Sequence, residues 1–408
     1  LDDFTLIENI TQDISNLEEV AGQSPVVKLV NYLLYNAVRE NASDIHVEPD
    51  DKKLRVRYRV DGKLYEKMRP PYQMHSAIVS RIKIMAELDI AQRRLPQDGG
   101  IHVLMEGRPI DLRVSVMPGN FSEKVVIRVI DPHKMLLNLE TLGFTYNNLQ
   151  LFRKVIQAPN GIVLVTGPTG SGKNTTLYAG LSELNNDDVN ICTVEDPVEC
   201  NISGINQFQV NQAAGFTFST ALRSLLRQDP DIIMVGEIRD EATANIAVQA
   251  ALTGHLVLST LHTNDAPGAI TRLVDLGVAP YLVSASLIAV LAQRLVRKIC
   301  SNCKSEYEPP ASIRKVAEKK CEKIETYYRG VGCKKCRNTG HSGRIAIHEL
   351  FVPNEEILEM ITDGASLKKL RTKALHNGMV ALDHDGMEKV QAGIISIEEV
   401  LRSTQMDI

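Results

Sequence analysis

The sequence predicts an α/β fold in at least two parts, a small mixed α/β domain followed by a larger domain built on a parallel sheet. Three observations lead there. The chain has 408 residues, more than one hydrophobic core usually fills, so two or three domains are expected. As far as Ile130, apolar and polar residues alternate in short runs, the pattern of half-buried strands. From Ile162 onward the strand-like segments become continuous apolar runs separated by helical patterns, as in a parallel sheet covered on both faces.

Composition sets limits on function. With 44% hydrophobic and 24% charged residues and a net charge of -4, the chain reads as an ordinary globular protein with no whole-chain reason to bind nucleic acid. The longest apolar stretch, Tyr281–Ala292, is interrupted by Ser284 and Ser286 and falls short of the ~20 residues that span a bilayer. The chain opens at Leu1 with no initiator Met, basic n-region or apolar leader, so further native sequence is expected before it.

Residues 1–23, rich in Asp, Glu, Asn and Gln, read as a linker or strap. Ser24 is a good N-cap and Pro25 suits the first helical position; the stripe Val26, Leu29, Val30, Leu33, Ala37 then predicts a helix to about Asn41. Ile45 and Val47, then Leu54, Val56, Tyr58 and Val60, predict strands closed by the turn Asp61-Gly62. A helix over Met74–Leu88 and strands near Ile101–Leu104, Ile110–Val116 and Glu123–Ile130 complete the first domain, and Pro132–Asn148 connects it to the second. There the buried runs are Ile162–Val165, Ile191–Val194, Ile232–Val235 and Leu256–Leu258, and helical patterns such as Glu355–Ile361 and Ser396–Ser403 close the chain.

Directly after the first of these runs comes Gly167-Pro168-Thr169-Gly170-Ser171-Gly172-Lys173, and directly after that a helical segment. Glycines let such a loop turn its backbone N–H groups toward phosphate oxygens, the helix N-terminus adds a favourable dipole, and Lys173 can reach the β and γ phosphates. A glycine turn without function is the bland alternative, but strand, loop, lysine and helix stand in register. One position departs from the motif. The residue after the lysine is ordinarily Ser or Thr, whose hydroxyl ligates Mg²⁺; here it is Asn174. Mg²⁺ demands near-octahedral geometry at ~2.1 Å, and Thr175 is turned away by about 100°. Asn174 is therefore expected to weaken Mg²⁺ binding and slow turnover while leaving nucleotide binding largely intact.

Two further strand ends carry acids, in Glu195-Asp196-Pro197-Val198-Glu199 and Gly236-Glu237. The carboxyl ends of parallel strands face one crevice, so Glu237 and Glu195 are candidates to orient the attacking water or hold Mg²⁺; helix capping is the simpler role. His255 and His262 flank the run Leu256–Leu258, and one of them is a candidate γ-phosphate sensor.

With these motifs in this order, the chain resembles the secretion-ATPase superfamily, in particular the ATPases of type IV pilus assembly and type II secretion. Gly167–Lys173, Thr193–Glu199, Arg227–Arg239 and Gly254–Thr263 match that family's Walker A, Asp box, Walker B and His box. Ala42-Ser43-Asp44-Ile45-His46, Tyr58-Arg59-Val60-Asp61-Gly62, Pro96-Gln97-Asp98-Gly99 and Ala292-Gln293-Arg294-Leu295-Val296 match as well. The resemblance implies a PAS-like domain over 24–131, a linker over 132–148 and a RecA-like ATPase domain over 149–408. The latter includes a zinc-binding insert over 297–340 and a helical C-terminal part over 353–408. It further implies hexamers that bind ATP and Mg²⁺ between the two domains, with Glu237 orienting water and Glu195 in support. Arg113, Arg128, Arg223 and Arg227 match the family's essential arginines, some acting across a domain or subunit boundary. The implied partners are an inner-membrane platform protein and a cytoplasmic adaptor, the implied place the cytoplasmic face of the inner membrane, peripheral to it. DNA-uptake or conjugation ATPases, and a nucleotide-binding switch that no longer turns over, are the alternatives.

Of seven cysteines, Cys300 and Cys303, then Cys333 and Cys336, form two Cys-x-x-Cys pairs. Two such knuckles close a tetrahedral Zn²⁺ site with no open position, hence a structural one. Cys192, Cys200 and Cys321 are expected to fill packing sites. In the resembled family this tetracysteine insert is usual in assembly and type II secretion ATPases and absent from retraction ATPases, which favours the assembly direction.

Overall fold

The computed structural model describes residues 12–13, 24–132, 135, 137–318 and 324–404. Two compact units divide the chain, Leu1–Lys134 and Met135–Ile408. Apart from 12–13, the strap expected over 1–23 lies outside the described residues, as does Cys321.

In the first unit, β1 (Gln12–Asp13), helix α1 (Pro25–Arg39), β2 (Ala42–Asp50), β3 (Lys53–Val60), β4 (Lys63–Met68), helix α2 (His75–Met85), β5 (Gln97–Met105), β6 (Arg108–Pro118) and β7 (Glu123–Ile130) follow one another. Among the described residues the sheet order is β1-β5-β6-β7-β2-β3-β4, antiparallel except for the short edge pair β1–β5. Ser24 caps α1 by accepting from Val27 N (3.4 Å). The stripe Val30, Leu33, Leu34, Ala37, Val38 then packs on the inward residues Ile45, Val47, Val56 and Tyr58. Tyr58 is wholly buried and donates its hydroxyl to Leu33 O (2.6 Å), which satisfies its buried polar atom. Asp61 (φ 49°) and Gly62 (φ 82°) are both left-handed, the geometry of a tight hairpin turn. That turn leads into β4, which the sequence did not reveal because charged residues mask its alternation. Helix α2 is shorter than the expected Met74–Leu88. Tyr72–Met74 is a 3-10 turn, and Glu87 enters the left-handed region (φ 55°), where a helix cannot continue.

The second unit contains helix α3 (Tyr146–Ile156), β8 (Gly161–Thr166), α4 (Lys173–Leu184), β9 (Ile191–Glu195), β10 (Asn206–Gln209), α5 (Phe218–Leu225), β11 (Ile232–Val235), α6 (Glu241–Leu252), β12 (Leu256–Leu261), α7 (Gly268–Asp275), α8 (Pro280–Ser286) and β13 (Leu287–Ile299). After these come β14 (Lys304–Tyr307), α9 (Ala311–Glu318), β15 (Tyr327–Gly330), β16 (His341–Phe351), α10 (Glu355–Thr362), α11 (Leu367–His376), α12 (Leu382–Gln391) and α13 (Ile397–Thr404). The main sheet runs β10-β9-β11-β12-β8-β13-β16 and is parallel up to the antiparallel pair β13–β16. Alternation explains the continuous apolar runs: Ile162 and Leu164 face one core, Val163 and Val165 the other. Leu139 and Leu142, inside the segment expected as a connector, lie in that second core, so part of it packs with this unit. The apolar stretch Tyr281–Ala292 turns out to be two elements, α8 and the start of β13.

Helix α13 is fastened to β13 by one buried ion pair. Glu399 accepts from Arg297 N (3.1 Å) and Nε (3.0 Å) and from Arg402 Nη2 (2.8 Å). Burial pushes this carboxyl up, but the hydrogen bonds from Arg297 and Arg402 outweigh it and hold the pKa at about 2. A carboxyl depressed on folding contributes stability above its unfolded pKa of ~4.3 and loses it as pH falls toward the folded value. Glu399→Gln is therefore expected to cost about 3–5 kcal/mol near pH 7, by leaving Arg297 buried without its partner. Urea titrations of both proteins should show the gap narrowing as pH drops from about 4.5 to 2; a gap that stays constant across that window argues against the assignment.

Candidate active site

Glycines shape the loop after β8. Gly167 has φ 149°, and a Cβ there would stand 2.4 Å from Gln293 O and 2.7 Å from Ser171 Oγ. Gly170 (φ 77°) and Gly172 (φ 87°) are left-handed, which turns backbone N–H groups into an anion-binding concavity at the head of α4. Lys173 is buried and donates from Nζ to Gly167 O (2.9 Å) and Pro168 O (3.2 Å). Burial lowers its pKa, against the attraction of Glu237.

Gln293 of β13 clamps this loop. Its Nε2 donates to Ser171 O (2.7 Å), and its Oε1 accepts from Thr176 Oγ1 (2.7 Å). In the sequence Gln293 stands out only within the phrase Ala292-Gln293-Arg294-Leu295-Val296; its role depends on β13 lying beside β8, which no local pattern announces.

The strand beside β8 is β12, and β11 comes next. Glu237, just past β11, is 14% exposed on its side chain and lies 2.5 Å from Arg239 Nη2 and 3.7 Å from His262 Nε2. His262 directly follows β12. Burial lowers its pKa and the Lys173 charge adds to this, so the ring is neutral at pH 7. Lys173, Glu237, Arg239 and His262 thus form one electrostatic group at the carboxyl edge of the sheet.

Two expected members stand elsewhere. His255 precedes β12 and its backbone carbonyl accepts from Gly161 N (3.1 Å), while its Nδ1 lies 2.9 Å from Ala250 O. It occupies the opposite edge of the sheet from the phosphate loop, about 20 Å along a six-residue strand. Flanking the strand in sequence puts the two histidines at opposite ends in space. Glu195 ends β9 but is 2% exposed, and its carboxylate accepts from the Tyr178 hydroxyl, Thr193 Oγ1 (2.6 Å) and Gln207 Nε2 (3.1 Å). It ties α4 to the strand beneath it. Tyr178 also accepts from Glu199 N (3.2 Å), so a tyrosine of α4 that the sequence did not single out is one of the ties of the acidic loop after β9, beside Gln209, whose Oε1 accepts from Val198 N (3.3 Å).

A family model described as type II/IV secretion system protein matches residues 19–402. The chain belongs to the type II/IV secretion system protein family. It is 50% identical over 404 residues to the Type II secretion system ATPase E of Vibrio cholerae serotype O1, covering 99% of this chain and 80% of that protein. It is also 50% identical over 410 residues to the Type IV pilus assembly ATPase PilB of Myxococcus xanthus, covering 100% and 72%. Among solved structures, the ATPase DotB of Legionella pneumophila superposes with a TM-score of 0.68 at 22% identity, covering 93% of this chain and 95% of that one. The pilus retraction motor PilT with bound ADP gives 0.62 at 24%, covering 91% and 95%. These structural likenesses show the fold, a mixed α/β one, and the family with its named ATPases makes the chain a P-loop ATPase.

In this secretion ATPase, Arg113 and Arg128 lie opposite each other in the register of β6 and β7, with Arg128 Nε 3.4 Å from Asp44. Arg223 is in the last turn of α5, and Arg227 follows, donating to Arg223 O (2.9 Å); both are exposed. They precede β11 and so belong to the amino edge of the sheet, away from Lys173. Asn174 and Thr175 occupy the first turn of α4, each partly exposed. The family implies a nucleotide and usually Mg²⁺. Glu237 is a hard carboxylate suited to that cation, whereas Asn174 supplies an amide oxygen in place of a hydroxyl.

The cysteine pairs come together. Sγ–Sγ separations are 3.9 Å for Cys300–Cys333, 3.7 Å for Cys303–Cys336 and 3.7 Å for Cys333–Cys336, and all four sulfurs lie within 4.8 Å of one another. Bonds of ~2.3 Å in a tetrahedron place sulfurs about 3.8 Å apart, so the four fit Zn²⁺, while a disulfide needs about 2.05 Å. The Cys336 N–H and the Asn302 amide pull the Cys333 thiol down to about 6, which favours the thiolate that a metal requires. Cys192 and Cys200 are buried in separate cores. Among the described residues, no helix is long and apolar enough to cross a membrane.

Proposed function

We propose that this chain is the subunit of a hexameric ATPase ring that powers assembly of type IV pili from the cytoplasmic face of the inner membrane. The observation that carries the reading is the group Lys173, Glu237 and His262 at one edge of the sheet. Lys173 and the loop amides grip the β and γ phosphates, Glu237 orients the attacking water, and neutral His262 stands where it can read the terminal phosphate. Arg223 and Arg227 are assigned in this reading to a neighbouring subunit's nucleotide, and their exposure supports it. Arg113 and Arg128 of the first unit are the further candidates for charge stabilisation. Zn²⁺ held by Cys300, Cys303, Cys333 and Cys336 braces the insert, and that insert favours extension over retraction. The platform protein and adaptor of the pilus machine are the proposed partners. Equal identity to a type II secretion ATPase supports the secretion pseudopilus as a second reading. Sizing the protein with and without ATP tests the ring: a species six times the monomer mass is expected with nucleotide, and a monomer under both conditions rejects it.

Asn174 favours one further reading, a nucleotide switch with slowed hydrolysis. Restoring a hydroxyl by Asn174→Ser is expected to raise the phosphate-release rate on the order of 10-fold at low Mg²⁺, with a smaller gain as Mg²⁺ is increased. Identical rates for the two proteins at every Mg²⁺ concentration would remove Asn174 as a brake.

A further inference from the structure

The loop that follows β12 is fastened at four successive residues by four different elements. Thr263 N donates to Thr166 Oγ1 of β8 (2.8 Å). Arg294 Nη2 of β13 donates to both Asn264 O and Asn264 Oδ1 (3.0 Å each). Arg371 Nη1 of α11 donates to Asp265 Oδ2 (3.1 Å). Ala266 N donates to Glu349 Oε1 of β16 (2.9 Å). Three of these anchors belong to the central sheet and one to the C-terminal helices. Arg371 also reaches Glu349 through Nη2 (3.3 Å), a carboxylate with no exposed side-chain surface. A polar cavity of about 160 Å³ lies between the loop and the C-terminal helices, with Asn264, Asp265, Arg294, Glu349, Arg371 and Thr404 among its walls.

His262 is the residue immediately before this loop, three positions from Asp265. Three residues of extended chain span about 10 Å, and Thr263 and Asn264 between them are already tied. The loop is therefore one stiff piece, and its position up to the imidazole is set by its four anchors together, the Arg371–Asp265 bond among them. We propose that Arg371 is a positioning residue for ATP hydrolysis: by holding Asp265 it sets where His262 stands relative to Glu237, and it transmits movement of the C-terminal helices to the phosphate site. The proposal rests on the reading of His262 given above. Misplacement of a reacting group by 1 Å can cost on the order of 10²-fold in rate, so a loosened loop acts on kcat more than on affinity.

The test uses the full chain and steady-state phosphate release. Arg371→Gln is expected to lower kcat about 10-fold with KM for ATP within about twofold, and Arg371→Lys, which keeps a charge for Asp265, to recover most of the loss. Because Arg371→Gln also strips a partner from buried Glu349, Asp265→Asn serves as the second variant. It leaves the Arg371–Glu349 pair and the Oδ1 acceptor of Gly268 N in place, and the same kcat loss is expected. In a His262→Ala background neither substitution should slow the enzyme further. Losses that multiply in that background overturn the proposal alone, as does a lowered Tm with kcat unchanged. Should His262→Ala itself leave kcat unaltered, the reading of His262 fails and takes the proposal with it.

Discussion

Glu237→Gln is expected to lower kcat for ATP hydrolysis by about 10²–10³-fold while ATP affinity shifts by less than about threefold. Glutamine keeps the shape of the side chain and removes its charge and its capacity to take a proton. The grip on the nucleotide is left standing, because it resides in the loop glycines and in Lys173, which Gln293 and α4 hold in place independently of β11. A modest secondary effect is built in. Glu237 is the charge that opposes the burial-driven fall of the Lys173 pKa, so its loss weakens the ammonium slightly and nudges affinity downward. Phosphate release and binding of a fluorescent ATP analogue separate the two parameters. A variant that turns over within about twofold of wild type would show that Glu237 is an acid of the fold and not of the reaction.

The second large effect concerns the cysteine cluster. Stripping metal with a strong chelator, or replacing Cys333 with Ser, is expected to unfold the insert between Cys300 and Cys336. A structural zinc site contributes on the order of 10 kcal/mol to the folding of its module. The β14–β15 pair, two strands of four residues each, is marginal on its own; the cysteines form a separate buried cluster, while Ile324 and Tyr327 join the main core. Limited proteolysis should then cut within 300–340 while the rest of the chain stays resistant, and elemental analysis of the untreated protein should return one zinc per chain. Protein free of zinc, with an unchanged digestion pattern after Cys333→Ser, contradicts the assignment.

The phosphate loop could be read in the sequence because its determinants are contiguous: a buried strand, glycines at fixed spacing, a lysine and a helix all fall within about twenty-five residues. The zinc knuckles were legible for the same reason. What escaped depends on neighbours distant in sequence. Leu287–Ile299 is an apolar run whose periodicity cannot separate a strand from a buried helix. Its identity as β13 emerges only from its register against β8 and β16, and with it the clamp made by Gln293. Glu195 looked like a partner of Glu237 since both end parallel strands. Its carboxylate is instead consumed by Tyr178, Thr193 and Gln207, two of which lie outside the motif. His255 and His262 were indistinguishable until strand direction assigned one to each edge of the sheet.

Strand β13 carries Gln293 against the phosphate loop and, seven residues on, delivers Cys300 to the cysteine cluster, paired along this length with β16. A two-stranded ladder of that kind behaves as a stiff spoke, and seven residues of it extend about 23 Å. Pivoting of roughly 5° at the nucleotide end therefore swings the metal-braced tip through about 2 Å. The bulge between Arg297 and Ile299 is a place along the spoke where that swing can be lost.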